Sequence, residues 1–174
     1  GGVKIFFNHC DILNEMGICA MPLFLGYYDC TWFEHKTDPV SIKKIGYKLS
    51  KEDIVVCPEV LPYEGLKFKN AKKVMFVQNW LGVTSEAYYH NAKGVHKSYY
   101  EMGYDYVITC SRYLASYLRE HGKGESVIIN NGIDLSRFVY NPELKEANRV
   151  LWMTRKNPED GKKIIELVKK EIPY

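Results

Sequence analysis

The 174-residue sequence contains no long hydrophobic run. Its longest apolar stretches, such as residues 20–25 and 74–77, are far shorter than the roughly 20 residues that a membrane-spanning helix needs. No signal peptide and no repetitive or strongly biased stretch is visible. These absences predict a globular, cytoplasmic protein, and they exclude fibrous and disordered classes.

Several catalytic and cofactor signatures are also missing. Without a Walker loop or a G-x-G-x-x-G turn followed by an acidic residue, neither a P-loop nucleotidase nor a dehydrogenase is predicted. No Ser-His-Asp set or close pair of carboxylates supports hydrolysis. His90 and His96 are six residues apart, so a helix would not place them on one face as a zinc pair. We therefore predict no metal and no cofactor.

Cysteine usage and charge exclude two further classes. The five cysteines are odd in number and form no C-x-x-C pair, so reduced thiols with structural roles are predicted. The 24 basic and 21 acidic side chains give a net charge of +3, with the basic residues scattered along the chain. Because no basic stripe is present, a nucleic-acid partner is not expected.

The sequence does contain a regular alternation of predicted strands and helices. Apolar spacing predicts a helix over residues 3–16, a strand over 20–25, and then a loop with a short helix at 42–48. The elements that follow are strands at 53–57 and 73–78, a helix from about 85 to 102, a strand at 106–110, a helix at 112–121 and a strand at 126–130. This alternation predicts an α/β protein with a Rossmann-like parallel sheet and flanking helices.

A polar stretch at residues 141–148 separates this alternation from a further strand at 150–153 and a helix at 162–170. We therefore place a domain boundary near residue 140. Residues 1–140 are predicted to form the Rossmann-like domain. Residues 141–174 are predicted to be a linker with the first strand and helix of a second domain.

Polar residues follow most of the predicted strands. In an open parallel sheet, ligands bind beyond the carboxyl ends of the strands, because the loops there meet helix N-termini. The candidates are Pro58-Glu59, Gln78-Asn79, Ser111-Arg112, Asn131-Gly132-Ile133-Asp134 and Thr154-Arg155. Ser111 is also a suitable cap for the helix that follows it. Aromatic side chains near predicted loops, Trp80 among them, can stack on sugar rings, although core packing explains most of the 14 tyrosines and 3 tryptophans.

Four segments together form a family pattern. They are Gly1-Gly2-Val3 before the first helix, residues 106–111 followed by Tyr113-Leu114, residues 127–134 followed by Arg137-Phe138, and residues 149–155 followed by Pro158-Glu159-Asp160-Gly161. This order resembles the retaining, two-lobed (GT-B type) nucleotide-sugar glycosyltransferases, which are related to sucrose and glycogen synthases and to bacterial mannosyltransferases. The match covers their N-terminal lobe and the first strand, loop and helix of their C-terminal lobe.

The resemblance implies an enzyme that transfers a sugar from a nucleotide-sugar donor to a glycan, lipid or small-molecule acceptor, with retention and without a metal. The chain would be the acceptor-side lobe, and its partners would be donor, acceptor and the remainder of the C-terminal lobe. Peripheral membrane contact is compatible with this function. Most donor recognition would lie outside these 174 residues, so activity of the chain alone is not expected.

For the donor side, the resemblance assigns Arg155 to the diphosphate, where a planar and always charged guanidinium suits phosphate oxygens. Gly1 and Gly2 would let backbone amides approach the same group. Asp160 is a departure, because many relatives carry lysine at that position. Lys162 and Lys156 are the candidates to replace it.

For the acceptor side, the resemblance assigns Gln78, Asn79 and Ser111, with Gln78 also close to the reacting sugar. Asn131, Gly132 and Asp134 would line the cleft between the lobes. Gln78 stands where many relatives have a histidine, and an amide cannot act as a base. The departures at Gln78 and Asp160 keep open an alternative, a non-catalytic sugar- or nucleotide-binding module with the same fold.

Overall fold

The computed structural model describes residues 2–26, 28, 30–81, 83, 98–146, 149, 151–152 and 157–171. The chain divides into two compact units, Gly1–Gly132 and Ile133–Tyr174. The division falls inside the Asn-Gly-Ile-Asp segment, a few residues before the boundary near residue 140 that the sequence predicts.

The first unit is built on a four-stranded parallel sheet. Its strands are β3 (Ile54–Pro58), β4 (Lys72–Val77), β5 (Tyr106–Thr109) and β6 (Val127–Ile128), and they lie in the order β3-β4-β5-β6. Cys57 pairs with Met75, and Thr109 pairs with Ile128. Because all pairs are parallel, the carboxyl ends of these strands lie at one edge. The predicted α/β class with a parallel sheet is confirmed.

Helices and a separate strand pair surround this sheet. The described helices of the first unit include α1 (Gly2–Glu15), α2 (Ile42–Ile45), α3 (Pro62–Gly65), α4 (Tyr99–Met102) and α5 (Arg112–Glu120), and Trp80, Leu81 and Val83 are also helical. The strand predicted at 20–25 is reduced to β1 (Leu23–Phe24), which pairs in parallel with β2 (Val40–Ser41). Of the helix predicted from about 85 to 102, only its last turn, α4, lies within the described residues.

Both faces of β4 carry buried side chains. On one face, Met75 and Val77 of β4 are fully buried in a cluster that also contains Leu114 and Leu118 of α5. On the other face, Phe76 is fully buried, with Phe6 of α1 edge-on at 5.6 Å between ring centroids and His9 stacked at 5.5 Å. These ring contacts fix α1 against β4.

Local signals explain where α5 begins and ends. The hydroxyl of Ser111 accepts the backbone N–H of Leu114 at 3.2 Å, which satisfies one of the free donors in the first turn. The helix ends before Gly122, whose φ of +68° suits a residue without a side chain. The predicted cap and the predicted stop are both confirmed.

The second unit contains a short 3₁₀ turn (Pro142–Leu144) and the helix α6 (Pro158–Glu171). Residues 158–161, which resemble a loop, are helical instead, because a proline opens the helix and two acids follow in its first turn. A Cβ at Gly161 would lie 1.9 Å from Nε1 of Trp152, so only glycine allows this contact. Leu151 and Trp152 belong to no helix or strand, and the rest of the predicted strand 150–153 lies outside the described residues.

Within the described ranges, no helix is long and apolar enough to cross a membrane.

Candidate functional site

Five residues of the first unit are linked by contacts at the carboxyl edge of its sheet. We call Gly2, Glu59, Gln78, Asn79 and Cys110 the strand-end cluster. Glu59 follows β3, Gln78 and Asn79 follow β4, Cys110 follows β5, and Gly2 opens α1. The parallel sheet brings the four residues that follow strands to the same edge. The packing of α1 on Phe76 brings Gly2 to this edge as well.

Gln78 makes contact with three other members of the cluster. Its backbone N–H donates to Oε2 of Glu59 at 3.2 Å, and its backbone carbonyl accepts from the Cys110 thiol at 3.7 Å. Its side-chain Nε2 donates to the carbonyl of Gly2 in a long hydrogen bond of 3.5 Å. The residue is therefore held from both neighbouring strands and from α1.

Glu59 is the buried charged group of the cluster, with only 4% of its surface exposed. Burial raises the pKa of Glu59, although its own backbone N–H and those of Gln78 and Asn79 favour the charged form. Among the described residues, no lysine or arginine forms an ion pair with it. Glutamate is seldom buried without an ion-pair partner, and a buried carboxyl group with a shifted pKa is a candidate for a functional site.

The two thiols near Glu59 are less acidic than a free cysteine. Burial raises the pKa of Cys110 and of Cys57, and the charge of Glu59 acts in the same direction on both. A thiol with a raised pKa stays protonated near neutral pH and is a poor nucleophile. This agrees with the structural role that the sequence predicts for the cysteines.

Asn79 is exposed, and its side-chain oxygen accepts the backbone N–H of Leu81 at 3.0 Å. This local turn does not use the NH₂ group of the side chain. The two consecutive amide side chains therefore differ. That of Gln78 is half-buried and hydrogen-bonded to α1, whereas that of Asn79 lies at the surface, and its NH₂ group can donate to a ligand.

Gly2 brings the first turn of α1 close to Gln78. A Cβ at Gly2 would lie 3.3 Å from Nε2 of Gln78, which is tighter than an ordinary contact. The first turn contains no acidic residue, and the free N–H groups and dipole of a helix N-terminus favour an anion. The helix that the Gly-Gly-Val resemblance predicts does begin here, while Gly1 itself lies outside the described residues.

The other predicted site residues are not members of the strand-end cluster. Ser111 uses its hydroxyl to cap α5, so its assignment to the acceptor stays a prediction. Asn131 and Gly132 are exposed after β6. Asp134 belongs to the second unit and accepts from Ser136, whose hydrogen bonds are the main cause of its lowered pKa. Arg155 lies outside the described residues.

Exposed aromatic rings form a series of contacts that begins at Trp80, beside Asn79. Trp80 follows Asn79 directly and is 45% exposed, and Tyr113 of α5 is 67% exposed. Both rings contact Tyr117, each with 6.4 Å between centroids. Such faces suit the apolar face of a sugar ring, while their polar edges remain able to hydrogen-bond.

Glu59, like Cys110, is a member of the cluster to which the resemblance assigns no role. Its position after β3 places Glu59 among the candidates, but only the structure shows that its carboxyl group is buried and bonded to the turn after β4.

The part of the chain that the structure describes holds no group of three or more His, Cys, Asp or Glu side chains that could bind a metal ion. Comparison of the chain with protein-family models, curated proteins and solved structures finds no match.

Proposed function

We propose that this chain is the acceptor-side lobe, with the opening of the donor lobe, of a nucleotide-sugar-dependent glycosyltransferase. The enzyme transfers a sugar to a glycan, lipid or small-molecule acceptor, with retention and without a metal. The single observation that supports this most is the contact between Gln78, at the end of β4, and the amino end of α1. This contact places a polar amide beside a positive helix end, next to exposed aromatic rings.

Each part of this edge matches one part of such a substrate. The first-turn amides of α1 suit a diphosphate. The side chains of Gln78 and Asn79 both donate and accept, as the hydroxyl groups of a sugar require. Trp80 and Tyr113 offer exposed ring faces to an acceptor sugar. A metal-free reaction is compatible with these groups, because helix amides and Arg155 would balance the charge of the diphosphate.

The reaction forms one bond and breaks another at the anomeric carbon. An acceptor hydroxyl attacks this carbon, and the bond to the nucleoside diphosphate breaks with both electrons going to the diphosphate oxygen. Because Gln78 has no basic group, the proton of the hydroxyl passes to another acceptor. The departing diphosphate oxygen is a base that the reaction itself supplies. Arg155 and the amides of α1 stabilise its charge.

A second candidate is a non-catalytic module that binds sugars or nucleotides. The observation that favours it is the fixation of Gln78, whose side chain already bonds to Gly2 and whose amide cannot take a proton. Such a module would bind the same ligands at the same edge. The two candidates differ in turnover, since only the transferase releases a nucleoside diphosphate from the donor.

Replacement of Gln78 by alanine tests whether this edge of the sheet carries the function. In the natural full-length protein that contains this sequence, we expect Gln78→Ala to lower kcat/KM for sugar transfer by roughly 10- to 100-fold, which is the usual effect of losing one positioned polar group. Asn70→Ala is the matched control, because Asn70 is an exposed amide just before the other end of β4. Equal kcat/KM values for both variants would remove the strand-end cluster from the site.

A further inference from the structure

We propose that Glu59 is a positioning residue of this site: its buried carboxyl group clamps the turn formed by Gln78 and Asn79 and thereby sets the direction of both amide side chains. The catalytic consequence of this clamp rests on the proposed function. The clamp itself rests on contacts within the first unit alone.

The contacts join two neighbouring strands at their ends. Pro58, the last residue of β3, pairs with Phe76 of β4, so the residues that follow the two strands emerge side by side. Oε2 of Glu59 then accepts the backbone N–H of Gln78 at 3.2 Å. The backbone N–H of Asn79 also favours the charged form of this carboxyl group. These two N–H groups lie just after the last ladder position of β4, where the sheet no longer supplies an acceptor.

The chemical nature of the clamp indicates a role beyond stability. A buried carboxyl group is costly to desolvate, and well-packed apolar residues are often as stable in such places. Here it accepts the N–H of Gln78 directly and attracts the neighbouring N–H of Asn79, so it holds the backbone of the turn in place. Since Gln78 also bonds through its carbonyl to Cys110 and through its side chain to Gly2, a shift of the turn would move every contact of this residue.

Few titratable groups face this carboxyl group. Cys57 on β3 and Cys110 after β5 have thiol pKa values that are raised by burial and, to a lesser extent, by the negative charge of Glu59. No lysine or arginine of the described ranges pairs with Glu59. Glu59 is therefore the group of this cluster that changes charge first as pH rises above the acid range.

The raised pKa of Glu59 gives the stability a defined pH dependence. A carboxyl group with a folded pKa above the unfolded value contributes stability that is fully present below the unfolded pKa of 4.5 and is lost as pH rises through the folded pKa. Glu59→Gln keeps an acceptor oxygen but does not titrate. We expect the melting temperature of the wild type to fall, relative to Glu59→Gln, as pH rises from 4 to 8.

A nuclear magnetic resonance titration of the 174-residue chain tests the clamp without any substrate. In the wild type, the amide protons of Gln78 and Asn79 should titrate with the same midpoint as the ¹³C resonance of the Glu59 carboxyl group. In Glu59→Gln, both amide protons should lose this titration. Amide protons that do not follow the carboxyl group would overturn the clamp, whether or not the protein transfers sugars.

Kinetics of the natural full-length protein test the positioning role. We expect Glu59→Ala to lower kcat by roughly 10- to 100-fold per folded molecule, because the turn loses its acceptor, and we expect Glu59→Gln to restore kcat to within about threefold of the wild type, because its amide oxygen still accepts. Glu120→Ala, at an exposed position on α5, is the control. A Glu59→Ala variant with a lower melting temperature but unchanged kcat and KM would overturn the role. A wild type without turnover would contradict the proposed function, and the titration would still decide the clamp.

Discussion

Replacing Gly65 by alanine is expected to lower the free energy of unfolding by about 2–4 kcal/mol, since overpacking costs 1–3 kcal/mol and a lost hydrogen bond adds to it. Gly65 ends α3 and is buried. A Cβ at this position would lie 2.5 Å from Oη of Tyr104 and 3.1 Å from Cβ of Cys57. Neither neighbour can withdraw easily, because both belong to the main core cluster. The Tyr104 hydroxyl, moreover, donates to the carbonyl of Pro62.

Chemical denaturation of matched variants measures this effect. Gly26→Ala is the control, because a Cβ at Gly26 would meet no atom within 4 Å. We expect that variant to stay within about 0.5 kcal/mol of the wild type. Adding Tyr104→Phe to Gly65→Ala removes the oxygen that the new methyl group strikes, so the double variant should recover part of the loss. If Gly65→Ala is as stable as Gly26→Ala, the close packing of Tyr104 against Gly65 that is described above is contradicted.

Replacing Arg155 by alanine is expected to lower kcat of sugar transfer by roughly 10²- to 10³-fold in the natural full-length protein, as removal of one preorganised donor to a developing oxyanion usually does. This expectation follows from the resemblance, since Arg155 lies outside the described residues. The guanidinium would bind two oxygens of the departing diphosphate at once. Arg155→Lys should be intermediate, because lysine keeps the charge and loses the planar fork.

The control for Arg155 is an arginine at the start of the same segment. Arg149 is exposed and forms an ion pair with Glu146. Exposed pairs of this kind contribute little to stability, so Arg149→Ala should leave kcat within about twofold of the wild type. If Arg155→Ala and Arg149→Ala give the same kcat as the wild type, Arg155 has no part in the reaction.

The sheet could be predicted from the sequence because each central strand carries its own signal. β4 contains the continuous apolar run Val74–Val77, which is typical of a strand buried on both faces. β5 (Tyr106–Thr109) consists of aromatic and β-branched residues, which favour strands. The cap at Ser111 and the stop at Gly122 are equally local. Signals that lie within a few residues of the helix or strand they define can be recognised from a single sequence.

Features that depend on partners distant along the chain could not be predicted. The four residues of α3 are too few to show a helical period, and β1 is fixed by its pairing with β2, seventeen residues away in the Leu23–Val40 register. Glu59 is buried and bonded to Gln78, nineteen residues away along the chain, whereas a glutamate in a sequence is expected at the surface. Residues 158–161 show a different cause, since the resemblance suggested a loop while the proline and the acids at 158–160 are signals for a helix start.

The central claim is that the protein transfers a sugar from a nucleotide-sugar donor. The most direct test is to incubate the natural full-length protein with UDP-glucose or GDP-mannose and a panel of glycan and lipid acceptors, and to measure nucleoside diphosphate and glycosylated product by mass spectrometry. Transfer predicts one nucleoside diphosphate for each glycosidic bond formed, with the anomeric configuration of the donor retained. Saturable binding of the donor without release of nucleoside diphosphate, for every donor and acceptor tried, would contradict the claim and identify a binding module.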